Sequence, residues 1–410
     1  MASLKIINAN IYTPVGHKAA KGAKMGELLH IPDGEVCIVD GIIEYVGPAR
    51  DGNCSDCEVI DAKGRAVLPG FIDSHTHLVF GGYRPDEFMW RMRGDSYMSI
   101  MERGGGIVNT MKATRQASEQ ELIDKAKWYI DRMSEMGVTT VEGKSGYGLD
   151  CEAELKQLRV MAAINADPDR KVDIATTYLG GHALPPEYAD HEAYIDFMIN
   201  EMLPKVKGLA DNCDIFCEKG VFTIEQSRRM LKAAAEAGFG VKIHADEIVT
   251  TGGAELAAEL GALSADHLLH ISDQGIKDLA ASNTVATLLP LTAFTLREPF
   301  APGRRMIDEG CAVALATDLN PGSCCSGSIP LTFALACIYM NMSVEEAITA
   351  LTLNAAAALG RADSIGTLEA GKLGDVVILD SDNISMLPYY TGMNSVAITI
   401  KRGKVASSNF

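Results

Sequence analysis

The middle of this 410-residue chain predicts a (β/α)8 (TIM) barrel, and its ends predict a small β-sandwich domain built from both chain termini, an α/β class overall. Three observations carry this. Between residues 67 and 319, eight strand-like runs alternate with helix-like segments. Such alternation implies a parallel sheet, and eight units over roughly 290 residues suit a closed barrel of about 250 residues or more. The runs are continuously apolar, as strands covered on both faces are. The ends carry short strands punctuated by turn dipeptides instead. No glycine-rich phosphate fingerprint follows the first strand, which argues against a doubly wound sheet. The expected boundaries are 1–65 and 361–410 for the sandwich and 66–360 for the barrel.

The N-terminal strands are LKIINANIYT, EVCIVDGIIEYVG and CEVIDAKGRAVL, with VDG and AKG as turns. The barrel runs are 67–75, 138–145, 172–180, 213–220, 240–247, 264–269, 285–291 and 312–319. Helical patterns such as EQELIDKAKWYIDRMSEMG, SRRMLKAAAEAG and GGAELAAELG fill the gaps, and Gly137, Gly238 and Gly261 sit where helix C-terminal glycines belong. The apolar segment 329–341 reads as barrel wall. At the C-terminus GDVVILD and SVAITIKRGKVAS are strands, with KRGK as a hairpin turn. Termini commonly lie close together, so the two ends can share one domain.

A 47% hydrophobic, 22% charged composition supports a large core and excludes disorder. The net charge of −17 argues against nucleic acid and anionic membrane as partners. No apolar run reaches the roughly 18 residues of a membrane span. The opening MASLKIINANIYT reads as a strand and not as a signal peptide, and the ten scattered cysteines suit reduced thiols, so a cytoplasmic location is expected. The lone pair Cys54 and Cys57 reads as a loop, since no second pair completes a zinc site.

In such a barrel the chemistry lies at the C-terminal ends of the strands. His75 and His77 follow the first strand; residues i and i+2 of a strand face one side. His182 follows the third, His244 and Glu247 end the fifth, His267 lies in the sixth and Asp318 ends the eighth. Alone, each has a bland reading: a strand-end histidine is usually structural, and an aspartate before Asn-Pro-Gly is usually a turn former. Together they form a plausible catalytic metal set, with ligands that suit zinc or ferrous iron. Such a metal lowers the pKa of bound water from 15.7 to about 7.

Here the motifs become specific. LPGFIDSHTH, IHADE and ATDLNPG resemble the amidohydrolase superfamily, and HTHLVFGGYRPDEF, RGGGI, EGKSGYGL and TYLGGHALP resemble its imidazolonepropionases over essentially the whole chain. The resemblance implies hydrolysis of 4-imidazolone-5-propanoate to N-formimidoyl-L-glutamate, in histidine degradation. It implies one Zn²⁺ or Fe ion per chain on His75, His77, His244 and Asp318. It implies Glu247 as proton shuttle, His267 and Asp318 as its catalytic partners, and Arg84, Tyr147, His182, Asn320, Gly322 and Ser323 as substrate-binding residues. Tyr97 and the 104–106 glycines are lesser candidates. The expected partners are a small-molecule substrate and a second subunit in a homodimer.

Cys324 and Cys325, in SCCSGS, depart from the expected polar segment and read as bystanders beside the metal. Two rivals stand beside this reading. One is another cyclic amidohydrolase or a deaminase on the same barrel, including a dinuclear enzyme bridged by a carbamylated Lys219. The other is a non-catalytic barrel that kept only the fold.

Overall fold

The computed structural model describes residues 3–50, 57–95 and 105–409. Two eight-stranded sheets organise them. The first is built from both ends of the chain: β1 (Ser3–Thr13), β2 (Leu29–Val39), β3 (Ile42–Pro48), β4 (Glu58–Asp61) and β5 (Ala66–Pro69) from one, and β14 (Val376–Leu379), β15 (Val396–Lys401) and β16 (Lys404–Ser408) from the other. Its hairpins turn on the dipeptides expected of two-residue loops. Asp40 and Gly41 join β2 to β3 with φ of 53° and 83°, and Arg402 and Gly403 join β15 to β16 with 49° and 72°. Leu4, Ile6, Ile11, Val36, Ile38, Val67, Val376, Ile378 and Ile400 form its own apolar core.

The second sheet is the barrel. Its eight strands are parallel and in chain order: β6 (Phe71–Asp73), β7 (Val138–Lys144), β8 (Asp173–Gly181), β9 (Asn212–Cys217), β10 (Gly240–Ala245), β11 (Ser264–His267), β12 (Val285–Leu288) and β13 (Ala312–Leu315). The expected single first strand over 67–75 is a correction. Residues 66–69 pair with β1 and β14 in the terminal sheet, and only Phe71–Asp73 pairs in the barrel. Gly70 is the crossing point. Its N–H donates to Asp375 O at 2.9 Å, and a Cβ there would lie 2.3 Å from Thr139 Oγ1, so no side chain fits.

The barrel closes between β6 and β13 just past their ends. Thr76 bridges Leu319 in parallel, Asp318 N–H donates to His75 O at 3.0 Å, and Asp73 accepts from Thr317 N–H at 2.9 Å and from its hydroxyl at 2.6 Å. This seam places His75 and Asp318 side by side. At the opposite end Ile72, Ala175, Val285, Ala312 and Ala314 pack with Leu353, Ala355, Ala356 and Leu359 as an apolar floor. Helices complete the outer layer. The segment over 119–135 opens with a Ser118–Glu121 capping box. The helix Ile329–Tyr339 is barrel wall, with Phe333 against Phe71 at 5.4 Å between ring centroids. No helix among the described residues is long and apolar enough to cross a membrane.

Candidate active site

Strand alternation explains the site's lower layer. Glu142 and Lys144 on β7, Asp214 on β9, Lys242 on β10 and Asp266 on β11 carry side chains with no exposed surface. Lys144 Nζ lies 2.6 Å from Asp214 Oδ2, 3.0 Å from Glu142 Oε2 and 3.5 Å from Asp266 Oδ2. Lys242 Nζ lies 3.0 Å from Glu142 Oε2 and 3.7 Å from Asp266 Oδ2, and donates to Ser74 O at 3.0 Å. Burial lowers the pKa of Lys144, but Asp214, Glu142 and Asp266 outweigh it and hold the ammonium well above the usual lysine value. Buried charges persist only when paired in this way.

Above this layer stand the histidines. Ligand atoms of His75, His77 and His244 lie within 4.8 Å of one another. Asp318 Oδ1 is 3.5 Å from His75 Nε2 and 3.6 Å from His77 Nε2, while its Oδ2 accepts from Thr292 Oγ1 at 2.7 Å. His75 Nδ1 lies 2.6 Å from Asp266 Oδ2, and His244 Nδ1 lies 3.0 Å from Asp214 Oδ2. The hydrogen bond at His75 Nδ1 fixes the tautomer that leaves its Nε2 free as a lone-pair donor, and the Asp214 carboxylate stands beside His244 Nδ1 at ion-pair distance. The residues fit a cation on two grounds. His75 Nε2, His77 Nδ1 and both His244 nitrogens are buried without a hydrogen-bond partner, which is costly unless something else meets them. Burial also holds all three rings well below the ordinary histidine pKa, hence neutral and able to ligate. A second group, His75, Glu142 and Asp266, is as close together. There the two lysine ammoniums already supply the positive charge.

The IHADE turn then distributes its side chains by function. His244 faces the cluster. Asp246, at φ 50°, accepts from the N–H groups of Thr251, Gly252 and Ala254 and so anchors the helix Gly253–Leu260. Glu247 is left to face His267, with Oε1 3.6 Å from Nδ1. Burial first, and Asp318 second, push the Glu247 carboxyl up to about 8. His267 and Asp318 both hold positive φ, 80° and 54°, a conformation that non-glycine residues adopt at some cost and that concentrates at functional sites.

Loops form the rim. Gly146, at φ 101°, starts a tight loop whose N–H groups at 146, 148 and 149 all donate to the Glu154 carboxylate, which sets Tyr147 inward. Tyr147 lies 5.5 Å from His77 and 5.1 Å from His182 between ring centroids, and His182 stacks on His77 at 4.8 Å. Arg84 reaches the 320–323 loop: a Cβ on Gly322 would stand 1.8 Å from its Nη2. Asn320 is committed to that loop. Its Oδ1 accepts from Gly322 and Ser323 N–H, each at 2.8 Å, and its Nδ2 donates to Asp318 O and Ser323 Oγ, each at 2.8 Å.

A family model described as the amidohydrolase family matches residues 66–406. A curated imidazolonepropionase of Phocaeicola vulgatus is 70% identical over 99% of both chains, and one of Bacteroides thetaiotaomicron is 62% identical over 99% of both. The chain belongs to the imidazolonepropionases of the amidohydrolase family. Solved structures repeat the fold at low identity. A 5-methylcytosine deaminase from Klebsiella pneumoniae superposes with TM-score 0.75 at 18% identity, over 99% of this chain and 98% of that one. A zinc-bound adenosine deaminase from Xanthomonas campestris gives 0.72 at 17%, over 98% and 92%.

For an amidohydrolase, a metal-dependent enzyme, the histidine–aspartate cluster is the metal-binding group. The chain brings the expected residues His75, His77, His182, His244, Glu247, His267 and Asp318 to one mouth, with Tyr147 and Arg84 at its edge. Lys219 is exposed on the turn after β9, away from the buried lysines of the interior. Cys324 is buried against Leu291 and Leu335, and Cys325 is exposed. Cys57 is disulfide-bonded, a correction to the reading of reduced thiols throughout, while Cys54, Tyr97 and Gly104 lie outside the described residues. Sequence reasoning missed Glu142, Lys144, Asp214, Lys242 and Asp266. The signal was present: Glu142/Lys144 and Lys242/His244 are i, i+2 pairs inside apolar strands, so they face one side together.

Proposed function

We propose that this enzyme hydrolyses the cyclic amide C–N bond of 4-imidazolone-5-propanoate to give N-formimidoyl-L-glutamate, a step of histidine degradation. The observation that carries this is 70% identity over 99% of both chains to an imidazolonepropionase, joined to a mouth that gathers His75, His77, His244, Glu247, His267 and Asp318. In the net reaction water adds across the ring C–N bond. Its oxygen goes to the carbonyl carbon, which becomes a carboxylate, and a proton goes to the departing ring nitrogen.

His75, His77, His244 and Asp318 are read as holding one Zn²⁺ or Fe ion. Such an ion supplies Lewis acidity, which polarises the carbonyl and makes hydroxide available near neutral pH. Glu247 carries the proton from the attacking water to the ring nitrogen, a role that suits a carboxyl raised to about 8. His267, 3.6 Å from Glu247, orients that water and the oxyanion, and Asp318 shares the base role. Tyr147 and His182 line the ring's place beside His77. Arg84 takes the propionate as a charge-assisted pair, and Gly322 and Ser323 offer backbone beside it. Asn320 serves by holding that loop in shape. The resemblance carries two further parts of the reading, a homodimeric assembly and a cytoplasmic location; sedimentation velocity checks the first.

The test is a spectrophotometric assay of purified protein with freshly made 4-imidazolone-5-propanoate, with metal determined on the same sample. The expected result is loss of the ring's ultraviolet absorbance at about one metal per chain. A metal-loaded sample that leaves the imidazolone intact overturns the reading.

A further inference from the structure

The two aspartates that face the histidines share one cation. Lys144 Nζ contacts Asp214 Oδ2 at 2.6 Å and Asp266 Oδ2 at 3.5 Å. Those same oxygens stand 3.0 Å from His244 Nδ1 and 2.6 Å from His75 Nδ1. The two arms differ in what else supports them. Asp266 also accepts from Ser264 Oγ at 2.5 Å and has the Lys242 ammonium at 3.7 Å. Asp214 has no second ammonium or guanidinium within 4 Å among the described residues, and its other oxygen accepts only from Ile215 N–H, at 2.7 Å. Lys242 is as deeply buried as Lys144 but serves Glu142 and Asp266.

We propose that Lys144 is a positioning residue for the metal centre: one buried ammonium holds Asp214 and Asp266 as oriented anions, so that His244 and His75 present Nε2, with the His244 arm depending on it most. This rests on the ligand set proposed above. The physical reason is asymmetry of compensation. Removing one partner of a buried ion cluster leaves the others uncompensated, and the carboxylate without a second cation then turns away. A histidine that loses its Nδ1 partner loses both its tautomer preference and its ring orientation, and such outer partners typically account for about 10- to 100-fold in metal affinity or activity.

The experiment compares Lys144→Met, Lys242→Met and Asp214→Asn with wild type and with His244→Ala, all as full-length protein. The readouts are zinc dissociation constants from chelator competition and histidine ¹⁵N shifts in the metal-free state. Lys144→Met and Asp214→Asn are expected to weaken zinc about 10- to 100-fold, with one histidine leaving the Nε2-free tautomer. Lys242→Met is expected to weaken zinc several-fold less, although its side chain is just as buried. If Lys144→Met does not fold, Asp214→Asn, which keeps the side chain's shape, carries the test. Zinc affinity within about twofold of wild type in folded Lys144→Met or Asp214→Asn overturns the proposal, as does an equal loss in the two lysine variants, which would mean a merely structural core. His244→Ala separates the two readings: if it keeps wild-type zinc affinity, the ligand set itself is wrong.

Discussion

The strand-borne and loop-borne halves of the mouth are built differently. His75, His244 and His267 sit on or directly after barrel strands, and Asp318 is pinned beside them by the β6–β13 seam. Beneath them lies a layer of paired, buried charges. Tyr147, Gly322 and Ser323 sit on loops held by local hydrogen bonds, to Glu154 on one side and to Asn320 on the other, and Arg84 reaches the second from the start of the helix Pro85–Met92. The difference teaches where precision is needed. Bond-breaking groups gain from ladders of backbone hydrogen bonds and from a rigid second layer. Recognition of a tail carboxylate needs a guanidinium that can reach and settle.

The comparison predicts that variants of the strand half change turnover and variants of the loop half change substrate binding. The largest effect belongs to Glu247→Gln. On the function proposed above it removes the proton carrier and leaves shape and the histidine cluster intact, so kcat should fall about 10²- to 10⁴-fold with metal content unchanged. Steady-state kinetics with metal analysis on the same sample checks this, and wild-type turnover would remove Glu247 from the mechanism.

Gly322→Ala tests the loop half without touching a charge. Its Cβ would fall 1.8 Å from Arg84 Nη2, so the guanidinium must swing away. A charge-assisted hydrogen bond contributes roughly 1.5–3 kcal/mol, which predicts KM raised about 10- to 100-fold with kcat changed much less. A fall in kcat at constant KM would break the division between the halves.

The barrel architecture and its polar strand ends were legible because they are written in local patterns: apolar runs, capped helices, and histidines at i and i+2. Three things were not. The split of the first strand at Gly70 depends on Thr139 and Asp375, residues far along the chain that the sheet alone brings near. The ionic layer is written one or two residues per strand, and its pairing becomes apparent only when β7, β9, β10 and β11 stand side by side. Asn320 illustrates the third. The resemblance implies a substrate contact for Asn320; its four side-chain hydrogen bonds within and beside the 320–323 loop are a matter of side-chain direction that spacing does not encode.

A third prediction moves buried ion pairing to a place with no chemistry. Asp173, at the start of β8, lies 2.6 Å from Arg170 Nε, 2.9 Å from Lys401 Nζ and 2.7 Å from Arg402 Nη2, joining the barrel to the terminal sheet. Burial raises its pKa, but these cations outweigh it and hold the carboxyl well below the usual range. Because the folded pKa is depressed, the stabilisation is complete above the unfolded value of about 3.9 and is lost as pH falls through the lower folded one. Asp173→Asn should destabilise by about 2 kcal/mol, less than a fully buried pair because Arg402 is half-exposed. In denaturant titrations that difference should hold from about pH 5 upward and shrink progressively below about pH 4, closing only below the depressed folded pKa, with kcat and KM unaltered. A change in kinetics would mean that charge clusters outside the mouth also tune it.

The smallest effect is expected at Cys325, the rim residue whose chemistry most invites a role. Its Sγ lies 3.2 Å from Tyr129 Oη and is exposed, and neither it nor Cys324 joins the ligand atoms of the histidine cluster. Cys324 is buried against Leu291 and Leu335, where burial raises its pKa and keeps the thiol neutral. A neutral buried thiol packs as a small hydrophobe. Cys325→Ser keeps a group able to meet Tyr129, so it should change stability by no more than about 0.5 kcal/mol, with zinc content and kcat/KM retained. Loss of metal in that variant would move a ligand from the strand half of the mouth to the loop half, and the division drawn between them would fail at its simplest point.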